Sequence, residues 1–394
     1  MVYNILDYGA ISDGMTVNTV SIQRAIDECA VTGGRVLVPA GRFVTGSLEL
    51  KSNMDFHLEK GAVLLASENL SDYNELDAYP QNWGCKKEGW DGKHLIRCVE
   101  QENVSITGMG IIDGAGQFFF DERAYTFPGY GWRHGIAQQK PCFEARPGQM
   151  IVFCECRNVK VYDVHLRNSC SWTLYLHGCE WVQVKGITVK NEEFHQNTDG
   201  IDVDACRYVT ISDCIIDTGD DAIAIRCSGL QRLRGNHDVC EHVTVNNCVL
   251  SSLSSCFRIG VGTGAIRHIN VSNVTIKTSG VAINFNPEWG TSSTPMHNVR
   301  FNNITATDTG EFLGLASNNT RVSEISISNV YTECDSAFVI KSTSEENVYN
   351  VSLKDIFVKK IDIVVQNREK LVDIGAVGNL TFDNVRTDNG LLKY

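Results

Sequence analysis

The segment from Tyr208 to Asp217, YVTISDCIID, decides the fold, because the pattern it carries returns along the chain. Polar and apolar residues alternate, two small or polar residues follow, and a second apolar pair closes the segment. This period-two alternation, with its enrichment in Val, Ile and Thr, predicts a strand, a tight turn and a second strand. Comparable segments begin at Asn103, Asn158, Trp181, His242, His268, Asn298, Glu324, Asn350 and Asn379.

The spacing of these segments predicts a solenoid. From Asn158 onward, successive segments start 23, 27, 34, 26, 30, 26, 26 and 29 residues apart. One such unit cannot bury its apolar face alone, whereas stacked units share a continuous core. The strand pattern excludes helical repeats, and a propeller would need four strands per blade and a longer period. The variable period therefore favours an all-β fold, a parallel β-helix with insertions in its turns.

The domain organisation follows from the absence of a linker or low-complexity break in the 394 residues, which predicts a single domain over residues 1–394. Residues 1–60 are predicted to form an N-terminal cap and the first coils. Within them, Ser21 to Ala30 has the apolar periodicity of a short helix, which would cover open strand edges. Residues 81–94 and 117–140 are rich in aromatic and charged residues, and we predict that these insertions shape a groove.

Composition argues against several classes of partner. The net charge of −12, with no basic cluster, disfavours nucleic acid. No apolar run is long enough to cross a bilayer. The 15 cysteines are an odd number, and many occupy apolar strand positions, which favours buried free thiols. Because no signal-peptide pattern is present, we expect a cytoplasmic location, with secretion after removal of a leader as the alternative. Nothing in the sequence indicates an oligomer.

An Asn-Thr-Asp-Gly motif and a Gly-Asp-Asp motif place carboxylates on successive repeats. Asp199 precedes Asp220 by 21 residues and Asp221 by 22. Residues one coil apart stack, so the three carboxylates are predicted to converge on one surface patch. Glycoside hydrolysis requires carboxyl groups that face one space, and crowding raises the pKa of one of them so that it stays protonated. Asp202 shares its strand parity with Asp204, whereas Asp199 shares it with Ile201, so Asp202 and Asp204 are predicted to point away from the site.

These motifs and several others resemble glycoside hydrolase family 28, the polygalacturonase-like enzymes. The resemblance implies a right-handed parallel β-helix of the pectin-lyase-like type and an inverting, single-displacement hydrolysis. It implies that Asp220 is the general acid and that Asp199 and Asp221 activate the attacking water. From the residues alone, the three roles remain open, and no cofactor or metal is indicated. The other matching residues are Asp7-Tyr8-Gly9-Ala10, Asp13-Gly14, Val38-Pro39-Ala40-Gly41, Arg146-Pro147, Arg167-Asn168-Ser169 and Ser171-Trp172.

The chain departs from the family at two motifs. Ser255 stands where Gly-His-Gly carries its histidine, and Ala282 and Asn284 stand where Arg-Ile-Lys carries two cations that grip a substrate carboxylate. Their loss predicts an altered subsite. Either Arg226 or Arg258 supplies the charge instead, or the subsite takes a neutral sugar; for Arg226, an ion pair with a nearby acid is the alternative. The residues predicted to bind substrate are Asn197, Arg226, Ser255, Arg258, Asn284, Glu288, Trp289 and His195.

The main functional hypothesis is a hydrolase that cleaves a pectic or related plant-type oligosaccharide from one end. The predicted cytoplasmic location favours an imported oligosaccharide over a polymer, and insertions beside a groove favour exo action. One alternative is a lyase or epimerase on the same fold, which would need a base together with a neutralising cation or calcium. The other is a non-catalytic carbohydrate-binding β-helix. The sequence shows no convincing base and cation set for a lyase or epimerase, and the three retained aspartates argue against a non-catalytic role.

Overall fold

The computed structural model describes residues 1–76, 92–125, 138–141, 146–228, 238–290, 292–361 and 370–392. They form successive coils of parallel strands around an apolar core, as the sequence predicts. Each strand hydrogen-bonds to its counterpart one coil away. Thus Ile201–Asp204 pairs with Leu174–His177 on one side and with Ile223–Cys227 on the other.

Strands make up most of the chain, and helices are few. The N-terminal strands are β1 Val2–Asn4, β2 Asp13–Val17, β3 Gly34–Val38, β4 Gly41–Thr45, β5 Leu48–Glu49, β6 Met54–Leu58, β7 Ala62–Ala66, β8 Ile96–Val99, β9 Glu102–Gly108, β10 Ile111–Asp113, β11 Phe120–Tyr125 and β12 Gln138–Pro141. The central strands are β13 Ile151–Cys154, β14 Arg157–Tyr162, β15 His165–Arg167, β16 Leu174–His177, β17 Glu180–Lys185, β18 Thr188–Lys190, β19 Ile201–Asp204, β20 Arg207–Ser212, β21 Ile215–Thr218 and β22 Ile223–Cys227. The C-terminal strands are β23 Val239–Gly262, β24 Ala265–Asn286, β25 Met296–Ala316, β26 Val322–Lys341, β27 Val348–Lys360, β28 Val372–Ile374, β29 Gly378–Thr387 and β30 Gly390–Leu391. Helical segments in the described ranges include α1 Thr19–Thr32 and the 3-10 turns Ile5–Tyr8, Leu70–Asp72 and Gly116–Phe119.

The central coils build three stacks of strands. The first is β13, β16, β19 and β22, the second is β14, β17 and β20, and the third is β15, β18 and β21. All three continue into β23, which at 24 residues passes through successive bends. The outward surface of the first stack continues in register through Arg258, Asn284, Gly314 and Val339, and we call this surface the site face.

One corner of each coil holds a residue in the left-handed backbone conformation. Asn158 and Asn103, on neighbouring coils, are linked there by a 2.8 Å side-chain hydrogen bond. Asparagine suits this conformation, whereas bulky residues adopt it at a cost. At the centre of the chain, however, the rings of Trp181 and Tyr208 stack at 4.4 Å, and those of Tyr208 and His242 at 5.4 Å. The corner residues, whose φ lies between 53° and 61°, are Asn103, Asn158, Trp181, Tyr208, His242, His268, Asn298, Glu324, Asn350 and Asn379.

The core is aliphatic and aromatic, with cysteines stacked inside it. The Sγ atoms of Cys98 and Cys156 lie 3.7 Å apart, and the backbone N–H of Cys179 donates to Cys206 Sγ at 3.2 Å. Burial raises the pKa of the Cys98 thiol well above its usual value. All thirteen cysteines within the described ranges are buried and none is assigned to a disulfide, which confirms their predicted role as small core residues.

Helix α1 closes the N-terminal end of the coils. The sequence predicts this helix over residues 21–30, and the structure extends it by two residues at each end. Ile22, Ala25, Ile26 and Cys29 are its buried face, as predicted. Gly33 ends it with a φ of 73°.

Two further predictions concern the insertions and membrane-spanning segments. The predicted insertions lie partly outside the described residues, at 81–91 and 126–137. In the described ranges, no helix combines the length and apolar character needed to span a membrane.

Candidate active site

Asp199, Asp220 and Asp221 come together on the site face, as their spacing predicts. Asp199 lies two residues before β19 begins, and Asp220 and Asp221 lie just before β22. One carboxylate oxygen from each lies within 4.8 Å of the others. Parallel pairing fixes this arrangement, because the N–H of Gly200 donates to the carbonyl of Asp221 at 2.9 Å. All three side chains are buried, so water does not screen their mutual repulsion.

The three carboxylates have different partners. Asp221 accepts hydrogen bonds from Ser254 Oγ (3.1 Å) and from the N–H of Ser255 (3.2 Å), and it pairs with Arg258 at 3.2 Å. Asp220 accepts from the N–H of Asn197 at 3.1 Å and from that of Asp221 at 2.9 Å. Asp199 differs, because its buried Oδ1 has no hydrogen-bond partner in the described part of the chain. Such an oxygen is available to a water molecule or a sugar hydroxyl.

These surroundings change the proton affinities of the acids. Burial, reinforced by the charge of Asp221, raises the pKa of Asp220 to about 7, although Arg258 opposes the shift. Burial and the neighbouring Asp220 raise the pKa of Asp199 well above its usual value. A carboxyl group with a pKa near neutrality can hold a proton and release it during a reaction. Two of the three acids, Asp220 and Asp199, are therefore suited to hold a proton, whereas Asp221 carries the ion pair with Arg258.

Asp202 and Asp204 do not point away from the site face, contrary to the parity prediction. They are in register with Ala224 and Arg226 of β22, and Ala224 is in register with Arg258 of the site face. The charge of Asp202 also contributes to the raised pKa of Asp199. Asp199 is separated from β19 by Gly200, and residues outside a strand do not obey strand alternation. Asp202 pairs with Arg226 at 3.5 Å, and the Arg226 guanidinium lies 4.2 Å from the centre of the Trp172 ring. Arg226 therefore has the ion pair that the sequence offered as the alternative to a substrate contact.

Four of the predicted binding residues, Ser255, Asn284, Arg258 and Trp289, line up beyond Asp221. Ser255 lies beside that carboxylate, and its Oγ accepts a hydrogen bond from Asn284 Nδ2 at 3.2 Å. Arg258 pairs with Asp221 and also lies 5.2 Å from the centre of the Trp289 ring. The Trp289 side chain is 45% exposed, so it offers a ring surface to a ligand. The positions predicted from sequence thus form one continuous polar surface.

The other predicted binding residues have structural partners. Glu288 accepts hydrogen bonds from the backbone N–H groups of residues 318, 319 and 320, so its carboxylate holds a turn of the next coil. The His195 ring is stacked on Phe120 at 3.8 Å, and burial lowers the pKa of this histidine to about 4. Asn197 supplies its backbone N–H to Asp220, while its side-chain oxygen lies 3.5 Å from Arg146. Asn197 is therefore a positioning residue beside the trio.

A further buried network lies on the same face and joins Tyr175, His177 and Asp204. The Tyr175 hydroxyl donates to Asp204 at 3.1 Å and lies 2.9 Å from His177 Nδ1. Burial would raise the pKa of Asp204, but His177, Arg226 and Ser228 together hold it well below its usual range. The register of β16 with β19 would have revealed the network, since it places Tyr175 beside Asp202 and His177 beside Asp204.

Comparison with known proteins agrees with this arrangement. The family model described as glycosyl hydrolases family 28 matches residues 29–349. The chain belongs to this family. It is 31% identical over 232 residues to a probable polygalacturonase from Vitis vinifera, covering 57% of this chain and 44% of that protein. It is 32% identical over 259 residues to an exo-poly-alpha-D-galacturonosidase from Dickeya chrysanthemi, covering 56% and 41%. The chain thus spans less than half the length of these curated relatives.

Solved structures of family 28 proteins share the fold. The exopolygalacturonase from Thermotoga maritima superposes with a TM-score of 0.71 at 23% identity, covering 98% of this chain and 90% of that one. The family 28 exopolygalacturonase of Yersinia enterocolitica gives a TM-score of 0.69 at 19% identity, covering 98% and 76%. These likenesses confirm the right-handed parallel β-helix.

The family 28 trio also has the donor set of a cation site. Within the described ranges, Asp199, Asp220 and Asp221 are the group whose oxygens lie close enough to share an ion. Oxygen donors of this kind suit calcium or magnesium. Arg258 already brings a positive charge to Asp221, so the site has a counter-charge of its own.

Proposed function

We propose that this family 28 chain is a glycoside hydrolase with Asp220 as the general acid. The observation that carries the proposal is the trio of buried carboxylates, in which Asp220 has a pKa raised to about 7 and Asp199 has an unpartnered oxygen among the described residues. Asp220 would protonate the glycosidic oxygen as the bond to the leaving sugar breaks. Asp199 and Asp221 would take the proton from the water that attacks the anomeric carbon.

We propose inversion at that carbon, in keeping with the family resemblance. The distances between the oxygens of the three carboxylates, however, are closer to those of retaining enzymes. The nearest oxygens lie within 4.8 Å, whereas inverting enzymes typically hold their two carboxyl groups about 6.5–9.5 Å apart. The separation of nearest oxygens is a minimum, however, and three acids rather than two surround the space. The anomer released first, followed by proton NMR, decides the question, since retention would rule out the single-displacement mechanism.

The proposed substrate is a pectic or related oligosaccharide, cut from one end. The relatives named polygalacturonase and exo-poly-alpha-D-galacturonosidase support this class. The subsite next to the trio is proposed to be altered, because Asn284 and Ser255 hydrogen-bond there and Ala282 is buried in the core. Arg258 is in register with Asn284 on the neighbouring strand, yet it is held by Asp221. A neutral sugar at this subsite accounts for both features.

We also propose a cytoplasmic location. Thirteen buried cysteines in the described ranges, none of them assigned to a disulfide, support a reducing compartment, where thiols persist without oxidation. Fractionation of the native host tests the location. Recovery of the protein outside the cell would overturn it.

The first experiment is a reducing-sugar screen of oligogalacturonides, rhamnogalacturonan fragments and neutral plant-glycan oligosaccharides, with Asp220→Asn as the control. Loss of the general acid typically costs about 10²–10⁴-fold in rate, so the variant should be nearly silent. Release of terminal units identifies exo action, whereas internal fragments alone would overturn it. Unchanged turnover in the variant would remove the mechanism. A calcium requirement that a chelator abolishes would favour a lyase, and ligand binding without turnover would favour a binding protein.

A further inference from the structure

We propose that a cavity beyond the three aspartates is a second sugar-binding subsite, in which Lys370 contacts the carboxylate of an acidic unit of the same oligosaccharide. The identity of this ligand rests on the proposed function. The cavity has a volume of about 620 Å³, which lies within the range of small-ligand sites. Asn284, Asn286, Glu311 and Ser336 supply polar groups to its walls, and Lys341 and Lys370 supply cations.

The cavity lies on the site face, in line with the trio. Strand register leads from Ala224, three residues after Asp221, through Arg258 and Asn284 to Gly314 in the cavity wall. These three strand intervals amount to roughly 14 Å at about 4.8 Å each. An oligosaccharide of several units laid along this face would therefore reach both places.

Polar contacts connect the trio to the cavity without a break. The N–H of Ser255 donates to Asp221, and Asn284, a residue of the cavity wall, donates to Ser255 Oγ. A chain of polar groups of this kind suits a ligand that carries hydroxyl groups along its length. The surface between the two sites is therefore suited to a carbohydrate.

The walls include a buried anionic group. Glu311 is 6% exposed, and a side chain at Gly314 would collide with its carboxylate. In this structure the Glu311 carboxylate therefore packs directly against the backbone of Gly314. Carboxylate and amide oxygens accept hydrogen bonds from sugar hydroxyls, so Glu311 and Asn286 can orient the ring of a bound unit.

The cations near the cavity indicate which charge a bound sugar unit should carry. Arg258 is held by Asp221 and Arg226 by Asp202, while Lys341 pairs with Asp373. By contrast, Lys370 is in no ion pair within the described ranges, and it lines the cavity. A lysine that no carboxylate of the described protein holds is suited to a carboxylate of the ligand. The cavity is thus expected to prefer an acidic sugar even if the unit next to the trio is neutral.

The test measures binding by calorimetry in the Asp220→Asn background, where cleavage cannot consume the ligand. Acidic oligosaccharides from dimer to hexamer are compared with the same oligosaccharides after reduction of their carboxyl groups. Lys370→Ala should weaken binding of the longer acidic oligosaccharides about fivefold to tenfold, in line with one hydrogen bond to a charged group. Dimers, which cannot span the distance, should bind unchanged, and Lys370→Arg should retain affinity.

Lys354→Ala is the matched control, because it removes an exposed positive charge from the same end of the molecule, outside the cavity. Four results would overturn the subsite. Lys370→Ala could weaken binding equally at every length, leave it unchanged, or weaken binding of the reduced oligosaccharides equally. The fourth result is that no oligosaccharide binds at all. The same experiments distinguish failure of the subsite from failure of the proposed function. Cleavage by the native protein without a Lys370 effect rejects the subsite alone, whereas Lys370-dependent binding without cleavage of any oligosaccharide rejects the hydrolase alone.

Discussion

At the scale of single residues, Asp220 shows how position determines proton affinity. Its carboxyl group is buried beside Asp221, and its pKa rises to about 7 from an ordinary value of 3.8. Between these two values the folded chain holds a proton that the unfolded chain has released. Folding is therefore coupled to proton uptake, and the free energy of unfolding falls as the pH rises through this window.

Replacing Asp220 by Asn should therefore stabilise the protein above pH 7, where the native carboxylate is buried and charged. The pKa difference of about 3 units sets an upper limit of about 4 kcal/mol. Because Asn loses one of the two accepted hydrogen bonds, we expect about 1–3 kcal/mol. The gain should vanish near pH 4. Denaturant unfolding at both pH values measures it.

Asp217→Asn provides the control, since that carboxylate is partly exposed and pairs with Lys190 at 2.6 Å. It should show no gain at high pH. An Asp220→Asn variant that is less stable than the native protein at pH 8 would contradict the assignment of a strained, buried charge.

Sequence spacing was sufficient to predict that the three aspartates converge, because one repeat advances the chain by one coil. It could not predict the partners of Glu288, because this carboxylate accepts hydrogen bonds from the backbone N–H groups of residues 318–320, some 30 residues away. Likewise, the parity rule failed for Asp202 because Asp199 lies outside β19, separated from its first residue by Gly200. Residue-level function therefore depends on contacts between coils that a linear pattern does not contain.

At the scale of elements, the left-handed corner recurs at the first residue of each repeated segment. The period of the sequence thus predicted where the coils begin. It did not predict that Trp181 and Tyr208 would adopt the conformation that favours asparagine, because their stacking offsets the backbone cost. Nor did it predict that β23 would run on for 24 residues, since bends within a strand leave no mark on alternation.

Glu324→Asn should stabilise the protein by about 0.5–1 kcal/mol, because Glu324 is exposed at a φ of 56° between corner residues Asn298 and Asn350. The new amide could join a ladder like the one that links Asn379 to Asn350 at 2.8 Å. The thermal midpoint measures the effect. Glu346→Asn is the control, since Glu346 is exposed without a left-handed backbone. Equal midpoints for the two variants would show that the corner carries no strain.

At the scale of the whole molecule, the two ends of the solenoid differ. Helix α1 covers the N-terminal end, whereas no helix covers the C-terminal coil in the described residues. Along β29, residues alternate between exposed and half-buried, with only Val385 buried, while every residue of β19 is buried. In a linear array each coil is stabilised mainly by its neighbours, so the last coil has half the support of a central one.

Hydrogen exchange followed by mass spectrometry should therefore show the C-terminal coil opening first. We expect residues 378–392 to exchange at least about tenfold faster than residues 201–227 under native conditions. The N-terminal strands under α1 should be protected like the centre. Equal protection of the C-terminal and central segments would indicate that the solenoid opens as one cooperative unit.

The constant register of the site face has an evolutionary consequence. Backbone hydrogen bonds between strands hold the spacing of Arg258, Asn284, Gly314 and Val339, and this spacing does not depend on which side chain each position carries. A substitution at one step alters one contact with a ligand and leaves the neighbouring steps in place. Selection can therefore change the ligand contacts of this surface one position at a time, while Asp199, Asp220 and Asp221 keep their places.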